Sequence, residues 1–119
     1  MTNKSIGKYG EDLAKDFLIK QGFEIVENNF HYSKMAEIDI IAKKDNIIHL
    51  VEVKTRTSEY FGNPLEAINK KKVQSIYHAG LFYIQKNKKY SKFQIDAIGI
   101  ILDKNNQPKY TFLENIELF

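Results

Sequence analysis

Residues 36–55 read AEIDIIAKKDNIIHLVEVKT, and this stretch decides the fold. Two segments rich in isoleucine and valine, residues 38–43 and 47–54, lie on either side of a polar triplet. Such runs around Asp and Asn are typical of a β-hairpin. Because Asp45 and Asn46 tolerate positive φ, they predict a two-residue turn.

This turn fixes the register of the two strands. Lys44 then faces Ile47, and counting outward places Asp39 opposite Glu52. Cross-strand partners have Cβ atoms about 4.5–5.5 Å apart on one face of the sheet. Since side chains alternate with a period of two, Lys54 lies on the same face as Glu52. The sequence therefore predicts two carboxylates and an ammonium in one small volume.

The opposed acids Asp39 and Glu52 need an explanation, because like charges opposite each other destabilise a strand pair. A divalent cation such as Mg²⁺, which one or two carboxylates can hold, would offset the repulsion. The alternatives are solvated side chains on an outer face, or a simple Glu52–Lys54 ion pair. Ile48 and Leu50 share the face with Glu52, which favours the edge of a buried region.

Asp39, followed thirteen residues later by Glu52-Val53-Lys54, resembles the active-site pattern of the PD-(D/E)XK nuclease superfamily. The likeness to the small bacterial YraN-type family of predicted endonucleases is wider. It rests on residues 7–14 (GKYGEDLA), 36–41 (AEIDII), 51–56 (VEVKTR) and 61–67 (FGNPLEA). Two positions depart from the family pattern: Ala36 stands where Gly is usual, and Gln94 replaces an arginine two residues before Asp96.

The resemblance implies a restriction-endonuclease-like fold and hydrolysis of phosphodiester bonds with Mg²⁺ or Mn²⁺. Asp39 and Glu52 would hold the ion, with the carbonyl of Val53 as a third ligand. Lys54 would orient the attacking water or stabilise the growing negative charge. Glu11, which corresponds to a helix-borne glutamate of related Holliday junction-resolving nucleases, would complete the catalytic set.

The basic residues bear on the partner of such a site. All of the 18 basic side chains except Arg56 are lysine, and the net charge is +3. Lysine contacts phosphate as a point charge, whereas arginine does most bidentate base reading. We therefore expect contact with a nucleic-acid backbone, through Thr55 and Arg56. The resemblance to the nuclease family adds Lys72, favoured among the lysines that begin the second predicted helix, and it implies DNA in preference to RNA. A merely solvated lysine-rich surface is the alternative.

Composition and length exclude several other classes. The absence of cysteine excludes a disulfide framework and a thiolate zinc site. No apolar run approaches the ~18 residues of a membrane helix, so a soluble cytoplasmic protein without a membrane partner is expected. With 119 residues, one domain spanning 1–119 can bury a single core. A homodimer would suit a branched substrate.

The remaining patterns predict the element order. Apolar residues at helical spacing predict a helix that Ser5 caps and Gly22 stops, and a second helix over residues 70–86 with Asn69 as its N-cap. The predicted strands are the two of the hairpin and residues 23–30, 92–102 and a tail at 110–119. Residues 55–64 predict a long loop beside the acids. The order αβββαβ plus a C-terminal β tail indicates an α/β fold, with two helices flanking a mixed sheet of four or more strands.

Three functions compete on these residues. The preferred one is a metal-dependent endonuclease. The others are a non-catalytic nucleic-acid-binding module and an interaction domain whose acids bind a structural ion. Intact Asp39, Glu52 and Lys54 favour the enzyme. Asp96, inside a buried strand, is either a supporting acid or a hydrogen-bonded structural residue.

Overall fold

The computed structural model describes residues 2–34, 36–58 and 62–117. Five strands form one sheet in chain order, with β3 and β4 parallel and the other neighbours antiparallel. This confirms the predicted α/β fold, with two helices and the order αβββαββ. The elements are α1 (Asn3–Lys20), β1 (Glu24–Ser33), β2 (Ala36–Lys44), β3 (Ile47–Arg56), a short 3₁₀ helix (Pro64–Ala67), α2 (Lys70–Lys86), β4 (Phe93–Leu102) and β5 (Pro108–Leu113).

The β2–β3 hairpin has the predicted turn. Asp45 and Asn46 both adopt left-handed backbone angles, with φ of 53° and 63°. Two successive residues at positive φ match the twist of the flanking strands. Lys44 pairs with Ile47, and the ladder continues in this register to the pair of Ile40 and Val51.

The sheet has a separate apolar layer on each face. On one face α1 packs against β3 through close backbone approach, since a Cβ on Gly10 would fall 1.8 Å from Thr55 Oγ1. On the other face α2 crosses the sheet, and Gly80 lies against Leu50 and Phe93 in the same way. Strands β3 and β4 are therefore buried on both sides, as their apolar sequences require.

Two helix boundaries test the predicted caps. The Ser5 cap is wrong, because α1 begins at Asn3 and Thr2 Oγ1 accepts a hydrogen bond of 3.1 Å from the Ser5 amide. Gly22 follows α1 with φ of 94°, as a stop residue should. The second helix has the predicted bounds, and Asn69 Oδ1 accepts from the Lys72 amide at 2.8 Å.

Strand ends differ more than helix ends. Strand β3 continues through Arg56, so Thr55 and Arg56 belong to the sheet and not to the predicted loop. The tail forms one strand, and its continuation contacts the sheet where the Ile116 amide donates to the Ile95 carbonyl at 2.7 Å. Loop positions 59–61 and tail positions 118–119 lie outside the described residues. Within the described ranges, no helix is long and apolar enough to cross a membrane.

Candidate active site

Asp39 and Glu52 meet where strands β2 and β3 separate. The last pair of the ladder is Ile40 with Val51. Beyond this pair, the Asp39 side chain takes the place of a backbone carbonyl as acceptor. Its Oδ2 atom accepts a hydrogen bond of 2.8 Å from the Val53 amide. The structure thus brings the two acids to one point at the mouth of the hairpin.

An irregularity of strand β1 accompanies this separation. Asn29 has φ of 50°, a left-handed conformation within a strand. Opposite it, Ile38 packs in the core layer under α2 whereas Ile40 packs in the layer under α1. Regular alternation would place both residues on one face. The sequence argument assumed that regularity, and the structure shows that it fails at Asp39.

Glu52 is the most unusual side chain of the site. It is 3% exposed, and its Oε2 atom has no hydrogen-bond partner among the described residues. Lys72 Nζ lies 3.2 Å from that oxygen as an ion pair, in an orientation that does not make a hydrogen bond. A buried carboxylate oxygen is costly unless it is partnered, and among the described residues the partner of Glu52 Oε2 is the Lys72 ammonium.

The proximity of the two acids changes the titration of Asp39. Burial, followed by the hydrogen bond to Glu52 and the charge of that residue, raises the pKa of Asp39 to about 8. The Val53 amide and Lys72 act in the opposite direction. Near neutral pH without a cation, the acidic pair therefore holds a proton that a metal ion would have to displace.

Glu11 reaches the same region from α1. Asn29 Nδ2 donates to Glu11 Oε1 at 3.1 Å and to Glu37 Oε1 at 3.0 Å. Partial burial raises the pKa of Glu11, and the charges of Asp39 and Glu37 add to this effect, while the Asn29 hydrogen bond lowers it. Three carboxylates from α1 and β2 thus face one another across the irregular part of β1.

The predicted basic residues are distributed differently from the expectation. Among the described residues, the ammonium that pairs with Glu52 is that of Lys72, and Lys54 makes no ion pair within 4.0 Å. Lys54 lies two positions after Glu52 on β3 and is half-buried. Thr55 packs against Gly10 of α1. Arg56 lines a shallow cavity of about 330 Å³ with the first turn of α1.

A second buried polar group lies elsewhere on β3. His49 Nδ1 and Asp96 Oδ2 are 2.6 Å apart between the parallel strands β3 and β4. The other oxygen, Asp96 Oδ1, accepts from Gln94 Nε2 and from the Asn115 amide, each at 2.9 Å. Asp96 is thus a hydrogen-bonded structural residue. Glu114 places a carboxylate oxygen within 4.8 Å of the His49 and Asp96 ligand atoms.

Sequence reasoning missed Asn29 and His49. Asn is one of the few residues that adopt positive φ readily, so an Asn-Asn pair inside a predicted strand was an available signal for Asn29. His49 interrupts an apolar strand, as Asp96 does. Two polar interruptions on neighbouring buried strands are the signal for a pair.

Comparison with known proteins gives a consistent result. The sequence profile of the uncharacterised protein family UPF0102 matches residues 10–100. The chain is 45% identical to the UPF0102 protein CPE1705 of Clostridium perfringens over 106 residues, which cover 87% of this chain and 86% of the relative. It is 42% identical to a UPF0102 protein of Caldicellulosiruptor bescii over 118 residues, 97% of this chain and 98% of the relative.

Proposed function

The chain belongs to the uncharacterised protein family UPF0102, and we propose that it is a metal-dependent nuclease that hydrolyses phosphodiester bonds of nucleic acid. The YraN-type resemblance is thereby confirmed at the level of the family. Membership of the PD-(D/E)XK superfamily, the choice of DNA over RNA and the catalytic roles below are parts of the proposal.

The observation that carries the proposal is the convergence of two carboxyl groups, Asp39 and Glu52, beside the Lys72 ammonium. Glu52 Oε2 is buried and pairs with the Lys72 ammonium at 3.2 Å, and the neighbouring Asp39 carboxyl has a pKa raised to about 8. A hard divalent cation would satisfy both acids at once, because Mg²⁺ and Mn²⁺ prefer oxygen ligands. The donor set therefore fits the metal that the sequence resemblance implies.

Asp39, Glu52 and the carbonyl of Val53 are the proposed ligands. The Val53 amide points to Asp39 on strand β2. The N–H and C=O of one strand residue point to the same neighbouring strand, so its carbonyl faces the same gap. When bound there, Mg²⁺ would lower the pKa of a coordinated water and polarise a phosphoryl oxygen.

The remaining side chains have separate roles in the proposal. Lys54 follows the acidic strand and would stabilise negative charge that develops on the phosphoryl group. Lys72 offsets the charge of Glu52 before the substrate arrives and would contact a phosphate oxygen once a cation takes its place. Glu11, whose pKa is raised by burial, would accept or deliver a proton at the edge of the site.

Basic residues at two places, the first turn of α2 and the end of β3, favour contact with phosphate. Lys70, Lys71 and Lys72 occupy the first turn of α2, and Lys72 reaches the acids. Amides and ammonium groups at a helix N-terminus suit phosphate. Thr55 and Arg56 continue β3 beyond the site. If n phosphates are neutralised, the log–log slope of duplex affinity against salt should be about −0.9n.

The deciding experiment is cleavage of labelled branched, duplex and single-stranded substrates with Mg²⁺, Mn²⁺ or EDTA. We expect a product band with either metal and none with EDTA. Asp39→Asn should abolish cleavage while binding without metal stays level or tightens, because a negative charge is removed. Lys54→Ala should abolish cleavage and weaken binding. Asp16→Asn and Lys104→Ala, on exposed positions outside the site, are charge-matched controls.

Salt-sensitive binding without metal-dependent cleavage on any substrate would replace the nuclease with a non-catalytic nucleic-acid-binding module. Cleavage by Asp39→Asn at the wild-type rate would overturn the catalytic assignment.

A further inference from the structure

Two aromatic rings and an ammonium lie at the outer edge of the sheet, on the face that α2 covers. Tyr32 of β1 and Phe82 of α2 have ring centroids 5.0 Å apart, with planes inclined by 51°. Lys86 Nζ lies 5.6 Å from the Phe82 ring centroid. Tyr32 is 42% exposed. We call Tyr32, Phe82 and Lys86 the aromatic platform.

Core packing does not account for the platform. On this face the core is closed by Phe30 and Tyr83, whose ring centroids are 5.4 Å apart in an edge-to-face contact. Tyr32 lies two residues further along β1 and extends past that contact to solvent. Single exposed aromatic residues are common on protein surfaces, so exposure alone carries no argument. The location relative to the acids does.

The platform and the acids lie on the same side of the sheet, a short distance apart. Phe30 pairs with Ile38, the residue before Asp39. With about 3.3 Å per residue and about 4.8 Å between strands, Tyr32 lies roughly 11 Å from Asp39 along the sheet. Helix α2 connects the same two points, because Lys72 contacts Glu52 and Phe82 contacts Tyr32 ten residues later, roughly 15 Å along the axis.

We propose that the aromatic platform stacks an unpaired base of the substrate, so that the substrate class is nucleic acid that is single-stranded or frayed within a few nucleotides of the cleaved bond. This inference rests on the proposed function and names its substrate. Aromatic side chains bind bases by stacking and tolerate every sequence, because each base has a π-face. The Lys86 ammonium would contact the adjoining phosphate.

The same geometry excludes a fully paired substrate from the platform. In an intact duplex each base is covered by its neighbours, so no face is available to Tyr32. Exposed Lys86 on α2 is the donor that the platform offers to the backbone of a separated strand. A strand following α2 from Lys72 to Phe82 would pass the acids and then the platform.

The test is binding in EDTA, where cleavage cannot occur. The probes are single-stranded DNA and RNA oligonucleotides and a blunt DNA duplex, each carrying one 2-aminopurine. We expect Tyr32→Ala to weaken binding of an unpaired strand roughly 5- to 150-fold, the range for loss of one stacked base. Duplex binding should change by less than about twofold. Quenching of 2-aminopurine in the single strand should also be lost. Loss with only one of DNA and RNA would identify that nucleic acid as the substrate.

Tyr77→Ala is the matched control. Tyr77 is also an exposed tyrosine, 37% accessible on α2, but it contacts Phe93 near the opposite end of the sheet. It should leave single-strand binding unchanged, and Tyr32→Phe should retain it. Circular dichroism establishes that each variant is folded. Phe82→Ala and Lys86→Ala, which change the α2 side of the platform, should also weaken single-strand binding.

Equal binding of single strands by wild type and Tyr32→Ala would overturn the platform, as would equal losses for single strand and duplex or no binding to any probe. Such a result leaves the nuclease proposal standing if the wild type still cleaves with Mg²⁺. Conversely, a selective loss with Tyr32→Ala in a protein that cleaves no substrate would support the platform and refute the nuclease.

Discussion

Two acidic groups in the described part of the chain, Asp39 with Glu52 and Asp96 with His49, lie on the same sheet but differ in the partners of their oxygens. Asp96 is fully buried, and its two oxygens accept from Gln94 and the Asn115 amide and pair with His49. Glu52 is almost as deeply buried, yet one of its oxygens has no hydrogen bond among the described residues. Asp96 is thus fixed by hydrogen bonds on both oxygens, whereas Glu52 depends on the Lys72 ion pair and is the acid that we propose as a metal ligand.

The environment of each group explains the difference. Asp96 lies on β4 beside its parallel neighbour β3, where the tail can donate a backbone amide. Asp39 and Glu52 lie where β2 and β3 part, so the ladder no longer supplies partners on that side. Burial beside Glu52 raises the pKa of Asp39, which is the repulsion that the proposed cation would relieve.

The largest expected effect concerns turnover. Asp39→Asn should lower metal-dependent cleavage by about 10³-fold or more, because the ligand charge that holds the ion is lost. Asp96→Asn should lower it by no more than the fraction of protein that unfolds. Single-turnover rates on one substrate, corrected for the folded fraction, make this comparison. Equal losses in the two variants would remove the distinction between the groups.

The second effect concerns stability, and here we expect the larger loss at Asp96 and not at Asp39. Asp96→Ala should lower the free energy of unfolding by about 3 kcal/mol, because it leaves His49, Gln94 and the Asn115 amide without their acceptor. Urea unfolding followed by circular dichroism measures it. A loss below about 1 kcal/mol would show that the hydrogen bonds of Asp96 do not stabilise the contact between β4 and the tail.

The third effect is a gain in stability at the site. The folded-state pKa of Asp39, about 8, lies above the ordinary value of 3.8, so ionisation of this group opposes folding. The penalty is absent below about pH 4 and grows as the pH rises towards 8. In EDTA at pH 8.5, Asp39→Asn should therefore be more stable than wild type by on the order of 2 kcal/mol, whereas at pH 4 the two should be equal.

Saturating Mg²⁺ sharpens that test. If the ion binds the folded wild type as proposed, it should reduce the difference in stability between wild type and Asp39→Asn at pH 8.5. Thermal unfolding at both pH values, with and without Mg²⁺, gives the four comparisons. A variant less stable than wild type at pH 8.5 in EDTA would mean that the carboxylate is stabilising, contrary to the assignment.

The smallest expected effect is that of Asn29. Its side chain holds Glu11 and Glu37, and its backbone has φ of 50°. Asn29→Gly should lower turnover about tenfold with little change in stability, since glycine accepts this conformation. Asn29→Ala should show the same loss of turnover and also a stability cost of about 1 kcal/mol. Unchanged turnover in both variants would limit Asn29 to a structural role.

The features of the fold and site that could be predicted from the sequence are those specified by residues close together in the chain. The hairpin register followed from two adjacent turn residues and holds from Lys44–Ile47 to Ile40–Val51, one position before Asp39 and Glu52. The bounds of α2 followed from Asn69 and the apolar spacing. These signals lie within a few residues of the structure that they specify.

The misses depended on distant partners. The sequence indicated Lys54 as the ammonium beside Glu52, but the path of α2 over the sheet brings Lys72 there instead. No local pattern encodes where a crossover helix passes above a strand. The Ser5 cap failed for a smaller reason, because Thr2 offers an equivalent hydroxyl three residues earlier. The likeness to the YraN-type family had already favoured Lys72 among its neighbours.

The two-residue turn of Asp45 and Asn46 has a consequence for the order of folding. A hairpin with so short a loop closes in about 1–10 μs, whereas the parallel neighbour of Glu52 on β4 is Ala97, separated by the whole of α2. We therefore expect the acids to come together while both are still hydrated, and their repulsion to rise when α2 and β4 later exclude water. Mg²⁺ should consequently slow unfolding of the finished protein while leaving the refolding rate nearly unchanged.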